Sequence, residues 1–213
     1  MTTKRPAAPV VHLALLAALL AGCATTPPQP QAWKPAPVGA SWTTLQRNTG
    51  SFGKDVQVTV TRLSDRDWNG TPAVVLKTAN GMLLQQPADG RWLATLAPDG
   101  RTVATFDPPA GWPQPIAVGQ SWKRSQKMTN AATGRSVEYE WGCTVAAAEK
   151  LTVPAGTFEA LRVECTSALD AKDTYWVTVT VHPFLKTRAV RGAQHPSGPG
   201  TQETELLKLP SAG

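Results

Sequence analysis

Residues 137–145 read VEYEWGCTV, and this stretch decides the fold class. Apolar side chains stand at every second position, from Val137 through Trp141 to Val145. Successive side chains of a β-strand point to opposite faces, so the alternation predicts a strand with one face in a core and one in water. Residues 56–61 alternate in the same way. The two runs therefore predict two similar strands.

Further strands are expected throughout the chain after residue 40. They are predicted near 73–78, 82–86, 91–96 and 102–106, and near 158–167, 174–181, 186–191 and 201–209. Asn-Gly and Asp-Gly pairs and the turn Pro154-Ala155-Gly156 separate them, because these residues favour tight hairpins. Residues 146–150 (AAAEK) form the one local helix candidate. We predict an all-β protein, either an antiparallel curved sheet or half-barrel, or two tandem similar β units.

A short repeat supports the second alternative. Residues 38–42 (VGASW) recur 80 positions later as residues 118–122 (VGQSW), and each copy follows a proline-rich stretch. The pattern predicts a first β repeat over residues 38–117 and a second over residues 118–209, with a tail over 210–213.

The N-terminus carries a targeting signal. Basic Lys4 and Arg5 precede an apolar stretch over residues 10–21, which is too short to span a hydrocarbon core of ~30 Å. It ends in Leu20-Ala21-Gly22-Cys23, which resembles the lipobox of bacterial lipoprotein precursors. The resemblance implies a signal peptide over residues 1–22 and cleavage before Cys23. An ordinary signal peptide that contains a cysteine is the alternative.

The lipobox resemblance also implies an anchor and a compartment. In this class the cysteine thiol takes a diacylglyceryl group and the new amine is acylated, with palmitate as an expected acyl chain. Cys23 is the matching lipidation residue. Ala24 stands where an aspartate commonly retains lipoproteins at the inner membrane, so the class implies the periplasmic face of the outer membrane.

A tether is predicted over residues 23–37. Five prolines fall in residues 24–37, and such a segment favours extended polyproline II rather than a packed core. At ~3.1 Å per residue it holds a domain roughly 40 Å from the bilayer. Trp33 lies within it, and the sequence leaves open whether this side chain enters the membrane interface or docks on the folded domain.

The distribution of charged residues indicates which classes of partner to expect. Removing residues 1–22 lowers the formal net charge from +6 to +4, and the remaining basic residues are scattered without a run of five. Nucleic-acid binding needs a concentrated basic footprint, so we expect no nucleic-acid partner. The expected partners are the membrane, through the lipid anchor, and an envelope protein, glycan or lipid.

Two cysteines remain after Cys23. Cys143 and Cys165 each lie 11 positions from Pro154, and parity places both thiols on the core side of neighbouring strands. Export permits oxidation, so we predict a disulfide, which stabilises by ~3 kcal/mol in the chain-entropy model. Free buried thiols and a redox pair are the alternatives, although redox pairs favour closer spacing and an electropositive setting.

Catalytic signatures are missing from the sequence. It contains no nucleophile elbow, P-loop, HExxH or dinucleotide fingerprint. His182 and His195 stand alone without nearby ligand-type residues, so we interpret both as surface or turn residues and expect no metal and no cofactor. Carboxylates two apart on strands fit solvated faces. We therefore expect no enzymatic activity.

The eight tryptophans suggest ligand binding. Those that fit the inward strand pattern are predicted to be core: Trp42, Trp122 and Trp141. Those beside turns or on the opposite face are candidates to stack on a sugar or to line a lipid groove: Trp68, Trp92, Trp112 and Trp176. The alternative for this second group is that its members cap a barrel end.

Residues 153–163 (VPAGTFEALRV), followed by the strand with Tyr175-Trp176, resemble a hairpin of bacterial envelope β proteins. Those proteins are similar in outline to LolA/LolB-type lipoprotein carriers, and the resemblance covers roughly residues 118–209. It implies a curved sheet that cradles an acyl chain. The first expectation for function is non-catalytic binding or scaffolding of a protein or envelope polymer. A lipid- or lipoprotein-binding half-barrel is the alternative, and an envelope hydrolase comes third.

Overall fold

The computed structural model describes residues 33–178 and 184–211. The predicted lipidation residue Cys23, the signal peptide and His182 lie outside the described residues. Within the described ranges, no helix is long and apolar enough to cross a membrane.

The described chain is built from twelve β-strands. They are β1 (Ser41–Gly50), β2 (Val56–Trp68), β3 (Thr71–Thr78), β4 (Gly81–Gln85), β5 (Trp92–Leu96), β6 (Thr102–Ala110), β7 (Ser121–Asn130), β8 (Ser136–Val153), β9 (Gly156–Ser167), β10 (Ala171–Val177), β11 (Lys186–Arg191) and β12 (Gly200–Ser211). The predicted all-β, antiparallel class is confirmed.

The strands close into one barrel. Each strand pairs with its neighbour in sequence, and β1 pairs with β12 as well as with β2. Six strands fall on each side of the predicted repeat boundary, and the β6–β7 and β1–β12 pairings join the two sets into one sheet. Each of the twelve described strands therefore has a partner strand on both sides.

Several strands differ in extent from the sequence expectation, most clearly β8. The local helix candidate, residues 146–150, lies within β8 and is not helical. Ala147 to Lys150 pair with β9, and a bulge at Ala146 interrupts the register. Partner hydrogen bonds along β9 outweigh the helical preference of three alanines, which is weak in so short a segment. The strand predicted over residues 174–181 begins earlier, at Ala171.

The five-residue repeat marks two equivalent strand starts. Gly39 and Gly119 have φ angles of 87° and 84°, and β1 and β7 each begin two residues later. The Gly39 amide donates to the carbonyl of Arg62 at 2.8 Å, and the Gly119 amide donates to that of Val145 at 2.9 Å. The same turn thus ties each first strand to the next strand in its half.

Strand register defines which face of the barrel points inward. Thr44 lies opposite Leu206, and Val163 lies opposite both Tyr175 and Val145. Leu206, Val163 and Val145 on this face are completely buried, and we take it as the inside of the barrel. One inward cluster centres on Val163 in β8–β10, and another joins β1, β3 and β12 around Leu206. A third cluster packs on the opposite face of β3–β5.

Candidate functional site

An aromatic cavity of about 270 Å³ lies on the inward face of β6–β10. Seven aromatic side chains line it: Trp33, Trp92, Phe106, Trp112, Trp141, Tyr175 and Phe184. Ile116, Val177 and the two disulfide-bonded cysteines complete the apolar wall. The barrel therefore contains a concave, largely apolar site of the kind that small ligands occupy.

Trp112 is the centre of the aromatic wall. It sits in the proline-rich connection between β6 and β7, where Pro113 restricts the backbone. Its ring lies 5.0 Å from Tyr175, 5.5 Å from Phe184 and 6.2 Å from Trp122, measured between ring centroids. Such tilted and edge-to-face pairs are each worth about 0.5–1.5 kcal/mol beyond burial. The wall is therefore an ordered surface held by mutual ring contacts.

The predicted disulfide forms part of the floor of the cavity. Cys143 on β8 lies directly opposite Cys165 on β9, with their Cα atoms 4.1 Å apart. The two residues are 5% and 3% exposed, as the parity argument predicted. The disulfide prediction is confirmed, and the bond ties together two strands that carry the cavity wall.

A polar strip on β7 faces the apolar wall. Arg124 and Gln126 are two residues apart, so both point inward, and both line the cavity. The Arg124 guanidinium donates through Nη1 to the carbonyl oxygen of Gly111, and burial lowers the pKa of Arg124 from its usual value. Gln126 is 8% exposed, and its amide atoms are not among the buried unpaired polar atoms of the described residues.

Tyr175 and Asp173 form a second polar feature. The Tyr175 hydroxyl donates to Oδ2 of Asp173 at 2.9 Å. Burial raises the pKa of Tyr175 well above its ordinary value, and the neighbouring Asp173 charge adds to this shift. Burial also raises the pKa of Asp173, against the opposing effects of Tyr175, Arg191 and His195. Tyr175 is therefore a neutral phenol at physiological pH.

Trp33 docks on the barrel and contributes to the cavity. Gly90, with φ of 70°, lies so close that a Cβ there would be 2.5 Å from Cε2 of Trp33. Of the two alternatives left open by the sequence, the docked position is the one observed. The end of the predicted tether is thus part of the cavity wall.

The four tryptophans predicted as binding residues divide into two pairs. Trp92 and Trp112 line the cavity. Trp68 packs instead against the cluster on β3–β5. Trp176 packs beside the cluster around Leu206, and its indole N–H donates to Oε1 of Glu149 at 2.6 Å. The four side chains therefore do not form one site. Trp141, predicted as core, also lines the cavity.

Sequence reasoning missed Arg124, Gln126, Tyr175 and Phe184 as site residues. β7 is polar at most positions on both faces, and this was an available signal. In a closed barrel one face of every strand points inward, so a strand with two polar faces places polar groups inside.

Metal-binding geometry is not found in the described chain. Residues 33–178 and 184–211 contain no group of three or more histidine, cysteine, aspartate or glutamate side chains placed to hold a metal. His195 lies in a turn, where its Nδ1 accepts a hydrogen bond from the Ser197 amide at 3.1 Å. This position agrees with the interpretation of His195 as a surface or turn residue.

No protein-family model and no curated protein matches this chain. Three solved structures are similar. A presumed exported protein with a YmcC-like fold from Bacteroides fragilis is 12% identical, with a TM-score of 0.48 over 83% of this chain and 98% of its own. A presumed lipoprotein from Parabacteroides distasonis is 12% identical, with a TM-score of 0.44 over 82% and 96%. The hypothetical lipoprotein YmcC from Escherichia coli is 18% identical, with a TM-score of 0.40 over 80% and 88%. The likeness is one of fold alone.

Proposed function

We propose that this chain is a lipid-anchored protein of the bacterial envelope whose barrel binds a small apolar ligand without catalysis. The observation that carries the proposal is the aromatic cavity of about 270 Å³ on the inward face of β6–β10. An apolar cavity of ~150 Å³ already binds benzene, so this one has room for a larger ring system or a short acyl chain. It lies just below the ~300 Å³ at which pockets for drug-sized ligands begin.

The expected affinity follows from the apolar wall. Burying about six methylene groups at ~0.8 kcal/mol each gives about 5 kcal/mol. A binding free energy of about 5 kcal/mol corresponds to a Kd of about 0.2 mM. The preformed ring cluster around Trp112 favours binding further, because little of the wall has to be ordered when a ligand enters.

The position of Trp33 supports a link between the cavity and the proposed anchor. Cys23, the proposed lipidation residue, precedes Trp33 by ten positions. Ten residues span at most about 36 Å even when fully extended. A lipidated Cys23 therefore keeps the cavity wall at Trp33 within that distance of the membrane surface, where apolar ligands are abundant.

The other functions expected from sequence are less well supported by the site. A concave aromatic cavity of about 270 Å³ suits a small ligand better than a protein or polymer surface. Among the described residues that line the cavity, Asp89 is the single carboxylate, and its Oδ2 lies 2.6 Å from Nε of Arg91. Paired carboxylates free to exchange protons would favour a hydrolase. Absence of catalysis remains a prediction.

The test is titration with a neutral fluorescent naphthylamine dye, using the mature chain with Cys23→Ser so that no acyl chain competes. We expect saturable binding that Val177→Trp abolishes, because Val177 lines the cavity and the larger side chain fills it. Val103→Trp is the matched control, since Val103 is 43% exposed. Equal dye binding by the two variants would overturn the proposal.

Membrane anchoring is tested separately. Full-length protein expressed in a bacterial host is expected in the membrane fraction with the mass of an acylated chain starting at Cys23. Cys23→Ser is expected to move the protein to the soluble fraction. A membrane fraction unchanged by this substitution would contradict the proposed anchor and leave the binding result unaffected.

A further inference from the structure

The polar strip on β7 gives the cavity a recognition element. Arg124 and Gln126 are on the same strand face, with Cα atoms roughly 7 Å apart for a two-residue step. Both side chains reach the cavity, whose other walls are mainly aromatic. A ligand in this cavity therefore contacts aromatic rings along most of its length, and it contacts hydrogen-bond donors at Arg124 and Gln126.

Arg124 is a positive charge at the cavity that no carboxylate of the described residues pairs with. The lining carboxylate, Asp89, is paired with Arg91, whose Nε lies 2.6 Å from Oδ2 of Asp89. Across the described ranges, Arg124 forms no ion pair with a carboxylate, and it donates a hydrogen bond to the neutral carbonyl of Gly111. A half-buried guanidinium beside apolar walls costs free energy unless an anion accompanies it.

Gln126 supplies an independent observation. It is 8% exposed and lines the cavity, and its amide oxygen and nitrogen are not among the buried unpaired polar atoms of the described residues. An amide that is open to a cavity can donate a hydrogen bond to a group in that cavity.

We propose that the cavity selects a single-chain amphiphile with a monoanionic carboxylate head, which Arg124 and Gln126 bind while the chain lies against Trp112 and its aromatic neighbours. The proposal rests on the proposed function and names its ligand class. A guanidinium matches a carboxylate in a planar, two-bonded arrangement, and the Gln126 amide N–H donates a further bond. One unpaired cation favours one negative charge on the ligand.

The experiment compares ligands of equal chain length and different head charge. Octanoate, 1-octanol and octyltrimethylammonium are titrated below micelle-forming concentrations against the mature Cys23→Ser chain. We expect octanoate to bind most tightly and the cation most weakly. Arg124→Gln should weaken octanoate binding by roughly tenfold to hundredfold, the contribution of a charge-assisted hydrogen bond, and leave octanol binding unchanged.

Controls separate recognition from folding. Arg124→Lys keeps the positive charge without the planar fork and should retain part of the preference for octanoate. Lys123→Gln removes the same charge from the exposed side chain one position earlier on β7, and should leave all three affinities unchanged. Gln126→Leu should weaken octanoate binding and strengthen octanol binding.

Each outcome decides between the proposals. Equal binding of octanol and octanoate would overturn the anionic ligand class while leaving the apolar-ligand function intact. Failure of both to bind would overturn the function itself. A single-chain lysophosphatidylglycerol serves as a further arm: tighter binding than octanoate, lost in Arg124→Gln, would overturn the carboxylate assignment in favour of a phosphate monoanion.

Discussion

Substitution of Gly90 tests whether Trp33 is an integral part of the barrel. Gly90 follows Asp89 in a turn with φ of 70°, and Gly100 follows Asp99 in a similar turn with φ of 86°. Alanine at either position costs about 1–2 kcal/mol because the left-handed conformation is unfavourable for a residue with a Cβ. A new Cβ at Gly90 would lie 2.5–2.9 Å from three atoms of the Trp33 ring, whereas at Gly100 nothing lies within 4 Å.

The difference between the two variants isolates the Trp33 contact. Gly100→Ala is expected to lower the free energy of unfolding by about 1–2 kcal/mol from backbone strain alone. Gly90→Ala should cost about 1–2 kcal/mol more, because the indole must leave its site and lose part of its burial. The free energies are measured by urea unfolding followed by circular dichroism.

A double-mutant cycle completes the test. In a Trp33→Ala background, Gly90→Ala should cost no more than Gly100→Ala, so the coupling energy between positions 33 and 90 should be about 1–2 kcal/mol. A coupling energy near zero, with equal costs for the two glycine variants, would refute the docking of Trp33 on Gly90.

Three further predictions concern the cavity wall and its supports. Replacing both Cys143 and Cys165 by alanine should lower the free energy of unfolding by about 3 kcal/mol, because the bond closes a loop with a sequence separation of 22; unchanged urea midpoints with and without reductant would contradict this. Trp112→Ala should destabilise by about 3 kcal/mol and abolish dye binding, while Trp68→Ala, outside the cavity, should leave dye affinity unchanged. The pKa of Tyr175 is raised in the folded state, so the neutral phenol favours the folded protein. This contribution to the free energy of unfolding is complete below the pKa of an unfolded tyrosine, about 10, and is lost as the pH rises above it. Tyr175→Phe should flatten that alkaline loss in a pH series of unfolding curves, and an unaltered slope would show that another group causes it.

The fold class and the disulfide followed from local sequence patterns. The alternation in residues 137–145 predicted a strand, and β8 contains it. The parity of Cys143 and Cys165 about Pro154 placed both sulfurs on one face, and the two residues are directly opposed. Such features depend on neighbours within one hairpin, which is the range over which side-chain alternation and turn residues act.

Local sequence patterns could not predict the closure of the barrel or the set of residues that form the site. Pairing of β1 with β12 brings Arg47 beside Glu205, although the two residues are 158 positions apart. The alternation of apolar residues within a strand does not show which distant strand it pairs with. The cavity combines residues from β6–β10 with Trp33, so its members share no spacing in sequence. Arg124 and Gln126 looked like parts of a polar stretch, because only closure into a barrel requires one face of β7 to point inward.

The most direct test of the central claim locates a bound ligand by nuclear magnetic resonance. Octanoate is added to the mature Cys23→Ser chain, and nuclear Overhauser effects are measured between its chain protons and aromatic ring protons. We predict contacts with Trp112, Tyr175 and Phe184, and none with Trp68. Contacts with Trp68 alone, or none with any ring, would contradict a ligand-binding cavity in this barrel.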